Sequence, residues 1–321
     1  MSKFDDQYIN LCRNILDHGE KITNYQKTDN RSSEVSSAIP DHTAQANSEA
    51  RTIRLPHQVL QFNLSEEFPI LTTKKVGWKT AILELLWIYQ AASNDVRWLQ
   101  DRGIKIWNEW EIAEDGTYQE RNINQIFRKK HPGEPKTDFA HTIGTAYGWI
   151  VNRYHLIDNL IETLKQNPGN RRMVLSLWQN EWLETAALPS CVWNSQWNLI
   201  DGHLNLLVTS RSSDVPLGLP FNIVQYAALC HLIAHVVGAE PGQFTFITND
   251  AHIYENQIEG IKEQISRYDE ATKNGALPKT PKLWLNPDIE NFYEFDNSRN
   301  LKDIKLNDYE HLGVIKMPVT E

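Results

Sequence analysis

Apolar residues recur along the chain at spacings that predict five helices. Phe4, Ile9 and Ile15 fall on one face of an amphipathic opening helix. The segment KTAILELLWIYQAA is apolar on nearly every side, which predicts a buried helix with the carboxyl group of Glu84 in its middle. Gly238 is a typical helix-ending residue and closes another helical segment. Helices are predicted over residues 4–18, 79–92, 156–166, 222–237 and 253–267.

Other segments have the composition and alternation of β-strands. They cover residues 173–178, 195–200, 203–209 and 244–248, and Asp201-Gly202 is a strong hairpin signal between two of them. The elements do not follow a regular βαβ repeat, and the chain contains neither GxGxxG nor GxxxxGK[ST]. Neither a Rossmann domain nor a P-loop is therefore indicated. We predict one α+β domain over residues 1–321, in which a mixed sheet is packed with helices.

Two polar stretches interrupt this pattern. Residues 30–50 are rich in Ser, Asp, Asn and Ala and contain scarcely any large apolar side chain. Residues 111–141 include RKKHPGEPK, with two prolines close together. Such compositions are typical of surface loops, so we interpret both stretches as polar insertions into the domain.

Charge and hydropathy narrow the classes of partner. The chain carries a formal net charge of -9, which argues against an extended face for nucleic acid or for an anionic membrane, because both need clustered positive charge. No apolar run approaches the ~18 residues that a membrane span needs. We expect a cytoplasmic protein without a membrane or nucleic-acid polymer as partner, in which an anionic ligand meets a local group of arginines.

The cysteines are the first candidates for chemistry. Cys12, Cys191 and Cys230 lie far apart without CxxC spacing, so we expect neither a disulfide scaffold nor a metal site. A lone cysteine is more often a small buried residue than a nucleophile. Cys191, however, lies near the start of a predicted strand. A polar stretch around a Pro-Gly turn adds hydrogen-bonding groups that predict a site for an anion and a polar ring, namely Arg211, Ser212, Asp214 and Asn222.

Two further pairs of residues are candidates for ligand binding. Arg171 and Arg172 precede a strand, where neighbouring side chains point to opposite faces. Both reach one phosphate only if the backbone is irregular or the phosphate lies at an interface, and two solvated surface arginines are an equal alternative. His252 and Tyr254 are two residues apart and could project together from an extended segment towards a sugar hydroxyl.

A series of short blocks, taken in order, carries a family resemblance. The blocks are LTTKK at 71–75, ELLW at 84–87, IWNEW at 106–110, AYG at 146–148, RR at 171–172, LPSC at 188–191, RSSDVPLGLPFN at 211–222, DAHIY at 250–254 and IKMPV at 315–319. Together they resemble the thymidylate synthase family from about residue 62 to residue 319, and chance agreement over the longest block is improbable.

The resemblance implies an assembly, a reaction and a pair of ligands. It implies an α+β homodimer in which a sheet face forms the interface, and in which Arg171 and Arg172 reach the phosphate site of the neighbouring subunit. The implied ligands are dUMP and the reduced folate 5,10-methylenetetrahydrofolate as co-substrate, with no metal. The thiolate of Cys191 would add to C6 of the pyrimidine, so that C5 can attack the methylene carbon of the folate.

The resemblance also implies roles for individual side chains. Glu84 would manage proton transfer near C4 and C5, with its pKa raised by burial. Tyr147 would assist removal of the C5 proton, Asp214 would face the pterin, and Asn222 would match the O4 and N3–H edge of uracil, which favours dUMP over dCMP. Contacts to the nucleotide are further implied for Arg31, Gln196, Arg211, Ser212, His252 and Tyr254. Contacts to the folate are implied for Lys74, Glu84, Trp107, Trp110, Leu217, Gly218, Phe221 and Val319.

Several positions differ from the family pattern. Val192 follows the nucleophile where most members have His, Asn249 lies in a pair that usually contains glycine, and Glu321 ends the chain in place of a small apolar residue. The phosphate loop is lengthened, so that either Arg31 or Arg51 could serve it.

These differences keep other functions open. A deoxynucleotide hydroxymethylase acting on dUMP or dCMP would use the same covalent intermediate, with water in place of hydride. A hydrolase that pairs Cys191 with His252 would need a hydrogen bond between them and an oxyanion hole. A dimer that binds a nucleotide or RNA without catalysis is the alternative that is not an enzyme.

Overall fold

The computed structural model describes residues 2–23 and 51–318. The polar stretch predicted over residues 30–50 lies outside the described residues. Arg31, Val319 and Glu321 lie outside them as well.

The described chain alternates between helices and strands. The helices are α1 (Lys3–His18), α2 (Trp78–Tyr89), α3 (Arg97–Gln100), α4 (Ile123–Lys130), α5 (Gly148–Arg153), α6 (Leu156–Gln166), α7 (Gly218–Val237) and α8 (Ile258–Lys273). The strands are β1 (Glu20–Thr23), β2 (Arg51–Asn63), β3 (Thr117–Tyr118), β4 (Arg121–Asn122), β5 (Val174–Ser176), β6 (Val192–Ile200), β7 (His203–Ser210), β8 (Ser213–Asp214), β9 (Glu240–Tyr254), β10 (Lys282–Leu285) and β11 (Ile304–Asn307). Short 3-10 turns cover Asn108–Trp110, Leu183–Thr185, Glu255–Gln257 and Phe292–Glu294.

A mixed sheet organises the molecule. Its strands run in the order β1-β2-β9-β7-β6-β5, and β8 pairs with β9 beside this path. β7 is parallel to β9, whereas β2 pairs with β9 in the antiparallel sense, so the predicted α+β class is confirmed. The predicted hairpin between β6 and β7 is also confirmed. Asp201 and Gly202 have φ values of 49° and 76°, the left-handed geometry of a tight hairpin turn.

The core lies against one face of the sheet and is centred on α7. Although the sequence contains no unbroken apolar run of about 18 residues, this helix is apolar enough by length and composition to cross a membrane, but 72% of its most apolar window is buried in the protein, which is typical of a core helix. α2 packs beside it, so that Glu84 lies in an apolar layer, as the sequence predicts. The opposite face of the sheet leaves Val59, Val174 and Ile200 exposed. This face suits the predicted dimer interface, which stays a prediction.

A buried carboxylate fixes α1 against the segment that precedes α2. The Ser2 hydroxyl caps α1 by accepting a hydrogen bond from the backbone N–H of Asp5 at 3.2 Å. The Asp5 side chain accepts hydrogen bonds of 2.7 to 3.1 Å from the backbone and hydroxyl groups of Thr72 and Thr73. Lys74, the next residue, is therefore held in place by the opening helix.

The prediction of a polar loop over residues 111–141 is wrong. This stretch contains the hairpin of β3 and β4 followed by α4, and Ile112, Ile123, Phe127 and Phe139 are all buried in the core. The apolar residues lie far apart in the sequence, so the charged residues between them conceal the pattern. Whether the stretch is an insertion stays a prediction.

Several boundaries also differ from the predictions, and three of them have a clear structural reason. β9 spans 15 residues rather than the predicted five over 244–248, because it pairs along most of β2. The last predicted helix begins at Ile258 instead of residue 253, since the intervening residues belong to β9 and a 3-10 turn. α7 begins at Gly218, one turn before residue 222.

Candidate active site

Cys191 lies at the entrance to β6, where its neighbours hold both its backbone and its sulfur. Its backbone N–H donates to the Tyr147 hydroxyl at 2.9 Å, and its carbonyl accepts from the backbone N–H of Arg211 at 2.8 Å. Nη2 of Arg211 lies 3.6 Å from Sγ. The guanidinium group is itself fixed by the carbonyls of Ser190 and Pro189 at 3.2 and 2.9 Å. A fixed positive charge beside the sulfur stabilises a thiolate.

The other two cysteines are in a different environment. Cys12 and Cys230 are fully buried, and burial raises the pKa of each thiol to about 12. Cys191 alone among the three is partly accessible. The structure therefore separates one accessible thiol from two inert ones.

Tyr147 is held in a strained conformation at the start of α5. Its φ of 45° lies in the left-handed region, which is uncommon for a residue with a bulky side chain. Its ring packs edge-to-face on Trp107, with centroids 5.3 Å apart. Burial, together with the neighbouring Cys191, raises the pKa of Tyr147 well above its ordinary value. The phenol therefore stays protonated, and its oxygen accepts the hydrogen bond from Cys191.

Glu84 is the centre of a partly buried hydrogen-bonded chain. Its Oε1 accepts from Nε1 of Trp107 and its Oε2 from Nε2 of Gln225, both at 2.6 Å. Gln225 in turn accepts from Nδ2 of Asn222 at 3.2 Å. Burial raises the pKa of Glu84 to about 7, and these two donors oppose the shift. The carboxyl group is therefore able to exchange a proton near neutral pH.

Asp214 lies between the turn before α7 and the end of the chain. Its Oδ1 accepts from the backbone N–H of Leu217 at 3.1 Å, and its Oδ2 accepts from Nε2 of Gln257 at 3.2 Å. The same Gln257 nitrogen donates to the carbonyl of Pro318 at 3.1 Å. Burial raises the pKa of Asp214. Gly218 and Phe221 follow on the first turn of α7, where both are half-buried.

The sugar-side pair predicted from the sequence is brought together on β9. The rings of His252 and Tyr254 meet edge-to-face with centroids 5.2 Å apart. Asp250 accepts from Nδ1 of His252 at 2.9 Å and from Arg54 at 3.3 Å. Burial opposes ionisation of Asp250, but the hydrogen bond to His252 and the charge of Arg54 keep its pKa below the ordinary value. His252 thus has a fixed ring orientation. Because His252 bonds to Asp250 in the described residues, the structure offers no support for the hydrolase hypothesis, in which His252 pairs with Cys191.

The ammonium group of Lys74 makes its contacts inside the protein. Lys74 is buried, and its Nζ donates to the carbonyl of Pro216 and lies 4.0 Å from Sδ of Met317. Burial lowers the pKa of Lys74 to about 8. Its ammonium group therefore supports the segments that surround Asp214, and a contact with folate stays a prediction.

Some predicted residues are not brought together within one chain. Arg171 and Arg172 are exposed at the edge of the sheet, immediately before β5. Gln196 is exposed on β6, where it donates to Asn194 at 3.2 Å.

Two other predicted residues lie beside the site. Ser212 is half-buried beside Arg211, and its carbonyl accepts from the Ser210 hydroxyl at 2.9 Å. Trp110 is half-buried, with its ring 5.4 Å from that of Trp107.

Three polar residues of the site were missed from the sequence. Gln225 could have been found, since it lies one turn after Asn222 on the same helix face. Asp250 lies two residues from His252, so both side chains share one face of the strand. Gln257 carried no signal, because the two acceptors of its amide nitrogen come from β8 and from the C-terminal segment.

Comparison with known proteins places this geometry in a family. The family model described as Thymidylate synthase matches residues 6–321. The chain belongs to the thymidylate synthase family. A thymidylate synthase of Clostridium beijerinckii is 44% identical over 320 residues, which cover 100% of both chains. Another from Bacillus licheniformis is 39% identical over 97% of this chain and 96% of its own. The solved structure of the thermostable thymidylate synthase A of Bacillus subtilis superposes with a TM-score of 0.74 at 32% identity, and covers 99% of each chain.

Proposed function

We propose that this protein is a thymidylate synthase, which converts dUMP into dTMP with 5,10-methylenetetrahydrofolate as co-substrate. The observation that carries this proposal is the environment of Cys191, whose sulfur lies 3.6 Å from the fixed guanidinium of Arg211 and whose backbone N–H donates to the Tyr147 hydroxyl. Family membership over the whole chain supports it. The activity is a one-carbon transfer to a pyrimidine nucleotide, completed by reduction.

The chemistry begins with the thiol. The thiolate of Cys191 adds to C6 of uracil, and the electrons displaced from the C5–C6 double bond give C5 the character of an enolate carbon. Glu84, with a pKa of about 7, exchanges a proton with the C4 oxygen region while this charge develops. C5 then bonds to the one-carbon unit of the folate, and Tyr147, which remains a phenol, assists removal of the C5 proton as the folate nitrogen leaves the transferred carbon. Hydride transfer to that carbon breaks the Cys191–C6 bond, which restores the C5–C6 double bond and frees the thiolate.

Asn222 reads the pyrimidine edge. One of its two N–H groups is used by Gln225, which orients the amide. Its oxygen remains able to accept N3–H of uracil, and its second N–H is able to donate to O4. Cytosine presents the opposite pattern at these atoms, so the arrangement supports dUMP as the substrate.

The described residues also suit a folate. Trp107 and Trp110 offer aromatic surface beside Glu84, and Asp214 offers a carboxylate to the N–H groups of a pterin. The bound folate supplies both the one-carbon unit and the hydride. The protein's part is to bind the ring, to accept its N–H groups and to keep water from C5.

A homodimer would complete the phosphate site. Arg171 and Arg172 are exposed at the edge of the sheet, and the uncovered face beside them carries Val59, Val174 and Ile200. Mixing inactive Cys191→Ser protein with inactive protein that carries Arg171→Ala and Arg172→Ala tests the sharing of residues. After exchange of subunits, about a quarter of all sites would combine intact residues and recover activity. No recovery, with mixed dimers demonstrated by mass, would contradict the shared site.

A product assay tests the reaction itself. Purified protein is incubated with dUMP or dCMP and 5,10-methylenetetrahydrofolate, the nucleotide product is weighed by mass spectrometry, and dihydrofolate is followed by absorbance. We expect dTMP and dihydrofolate in equal amounts from dUMP. A hydroxymethyl nucleotide without dihydrofolate would instead identify a hydroxymethylase, and binding of dUMP without any covalent adduct would identify a non-catalytic protein.

A further inference from the structure

Gln257 makes three hydrogen bonds that join separate parts of the site. Its Nε2 donates to Oδ2 of Asp214 at 3.2 Å and to the carbonyl of Pro318 at 3.1 Å, while its Oε1 accepts from the backbone N–H of Tyr254 at 3.1 Å. The side chain is fully buried. It therefore connects the carboxylate of β8, the end of β9 and the C-terminal segment.

The orientation of this amide is determined by its partners. A primary amide has two N–H donors on nitrogen, and here both are directed at oxygen acceptors. The reversed amide would bring its oxygen against the Asp214 carboxylate and the Pro318 carbonyl, with the loss of all three bonds. Neither a carboxylate nor an apolar side chain of the same length can make this set of contacts.

The C-terminal segment is seated on α8 before it reaches Gln257. Nη1 of Arg267 donates to the carbonyl of Leu312 at 2.9 Å. Near its end, the segment packs so closely on α8 that a β-carbon added to Gly260 would lie 3.0 Å from Cγ of Met317. Within the described residues, which end at Pro318, the contact with Gln257 is thus the final hydrogen bond of a longer docked segment, and it is the one that faces Asp214.

We propose that Gln257 is a positioning residue that couples the docking of the C-terminal segment to the placement of the Asp214 carboxylate, and thereby to folate binding and water exclusion. This inference rests on the proposed synthase function. When Pro318 is docked, both N–H groups of Gln257 are satisfied and the carboxylate is held in one place. When the segment leaves, the amide loses a partner and is free to turn away from Asp214.

The first test compares two buried glutamines. Gln257→Met keeps the length of the side chain and removes both donors. Gln264→Met is the matched control, because Gln264 is also fully buried on α8 and makes a hydrogen bond of 2.8 Å, to the Thr73 hydroxyl. Both variants lose a buried amide, but only the first loses contact with Asp214 and Pro318.

The measured quantities separate positioning from general stability. Release of tritium from C5 of labelled dUMP without folate reports the Cys191 reaction alone. With folate present, the ratio of dTMP formed to tritium released reports the coupling of the later steps. Gln257→Met is expected to raise KM for the folate about tenfold and to lower this ratio, with folate-free tritium release within about twofold of the original protein.

The two kinds of failure are distinguishable. Wild-type protein that forms no dTMP would overturn the proposed function. Wild-type protein that forms dTMP, together with an unchanged folate KM and coupling ratio in Gln257→Met, would overturn the role of Gln257. The same rise in KM in Gln264→Met would also overturn it, because the effect would then follow from lost stability.

A second variant gives a readout that a structural role would not move. Gln257→Glu keeps the acceptor for Tyr254 but faces Asp214 with a second carboxyl group, and two such groups in contact share a proton at low pH. The folate KM of this variant is expected to fall towards the wild-type value as the pH is lowered from about 8 to about 6. If the folate KM of Gln257→Glu depends on pH in the same way as that of the wild type, the proposal is contradicted. This test applies even if Gln257→Met does not fold. The titratable groups that face Asp214 are His252, Lys74, Tyr254 and Tyr8.

Discussion

Replacing Trp107 with Phe isolates one hydrogen bond of the catalytic centre. The indole Nε1 donates to Oε1 of Glu84 at 2.6 Å, and the substitution removes this donor while it keeps an aromatic ring at the position. A carboxylate that loses a donor is less stable as an anion, so its pKa rises. The pKa of Glu84 is already raised to about 7 by burial, and the Trp107 hydrogen bond is a force that opposes this shift.

The size of the effect follows from the strength of that bond. A hydrogen bond to a charged group contributes about 1.5 to 3 kcal/mol, and one pKa unit corresponds to about 1.4 kcal/mol. Since Gln225 still donates to the other carboxylate oxygen, the expected rise is about 1 to 2 units. The limb of the pH–rate profile that reports Glu84 should move to higher pH by this amount.

The assay is the rate of dihydrofolate formation at saturating substrates across the pH range. Trp110→Phe is the matched comparison, because the Trp110 ring centroid is 5.4 Å from that of Trp107 and the substitution removes a similar aromatic surface. It is expected to alter folate binding without moving the limb. A limb that stays in place in Trp107→Phe, or that moves equally in both variants, would refute the role of this hydrogen bond.

Three further predictions concern other side chains of the site as well as Glu84 itself. Glu84→Gln should abolish turnover but stabilise the fold above pH 7 by up to about 3 kcal/mol. Because burial raises the pKa of Glu84, ionisation of its carboxyl group costs stability as the pH rises from about 4.5 to about 7. Denaturation of both proteins at pH 5 and pH 8 measures this effect, and a stability difference that is the same at both pH values would contradict it. Asp250→Asn should raise KM for dUMP about three- to tenfold with little change in the KM for folate, since His252 loses its charged partner at 2.9 Å, and steady-state kinetics with each substrate varied will decide. Tyr147→Phe should lower kcat about a hundredfold with a similar KM for dUMP, and an unchanged kcat would exclude the phenol from the chemistry.

The sequence predicted most of the fold where local patterns are strong. The opening helix, the buried helix around Glu84, helix α6 and the β6–β7 hairpin all depend on the spacing of neighbouring residues, and the structure confirms them. The stretch over 111–141 failed because its core residues are scattered. β9 was predicted too short because polar residues at its centre are held in the strand by pairing with β2, which no local pattern reveals.

The site was predicted by family blocks rather than by periodicity. Cys191, Arg211 and Tyr147 are brought into contact from three separated segments, and only the resemblance joins them. The hydrogen bond between Trp107 and Glu84 spans 23 residues and depends on how a loop packs on α2. Gln225 and Gln257 lie beside family blocks but outside them, so their roles follow only from the three-dimensional structure.

The different accessibility of the three thiols allows the active sites of a preparation to be counted by alkylation. Because burial raises the pKa of Cys12 and Cys230 to about 12, a mild alkylating reagent at neutral pH meets only the sulfur that faces Arg211. The number of labels per chain therefore measures the fraction of a preparation with an intact nucleophile. The slowing of labelling by a nucleotide measures the occupancy of the pocket without any turnover.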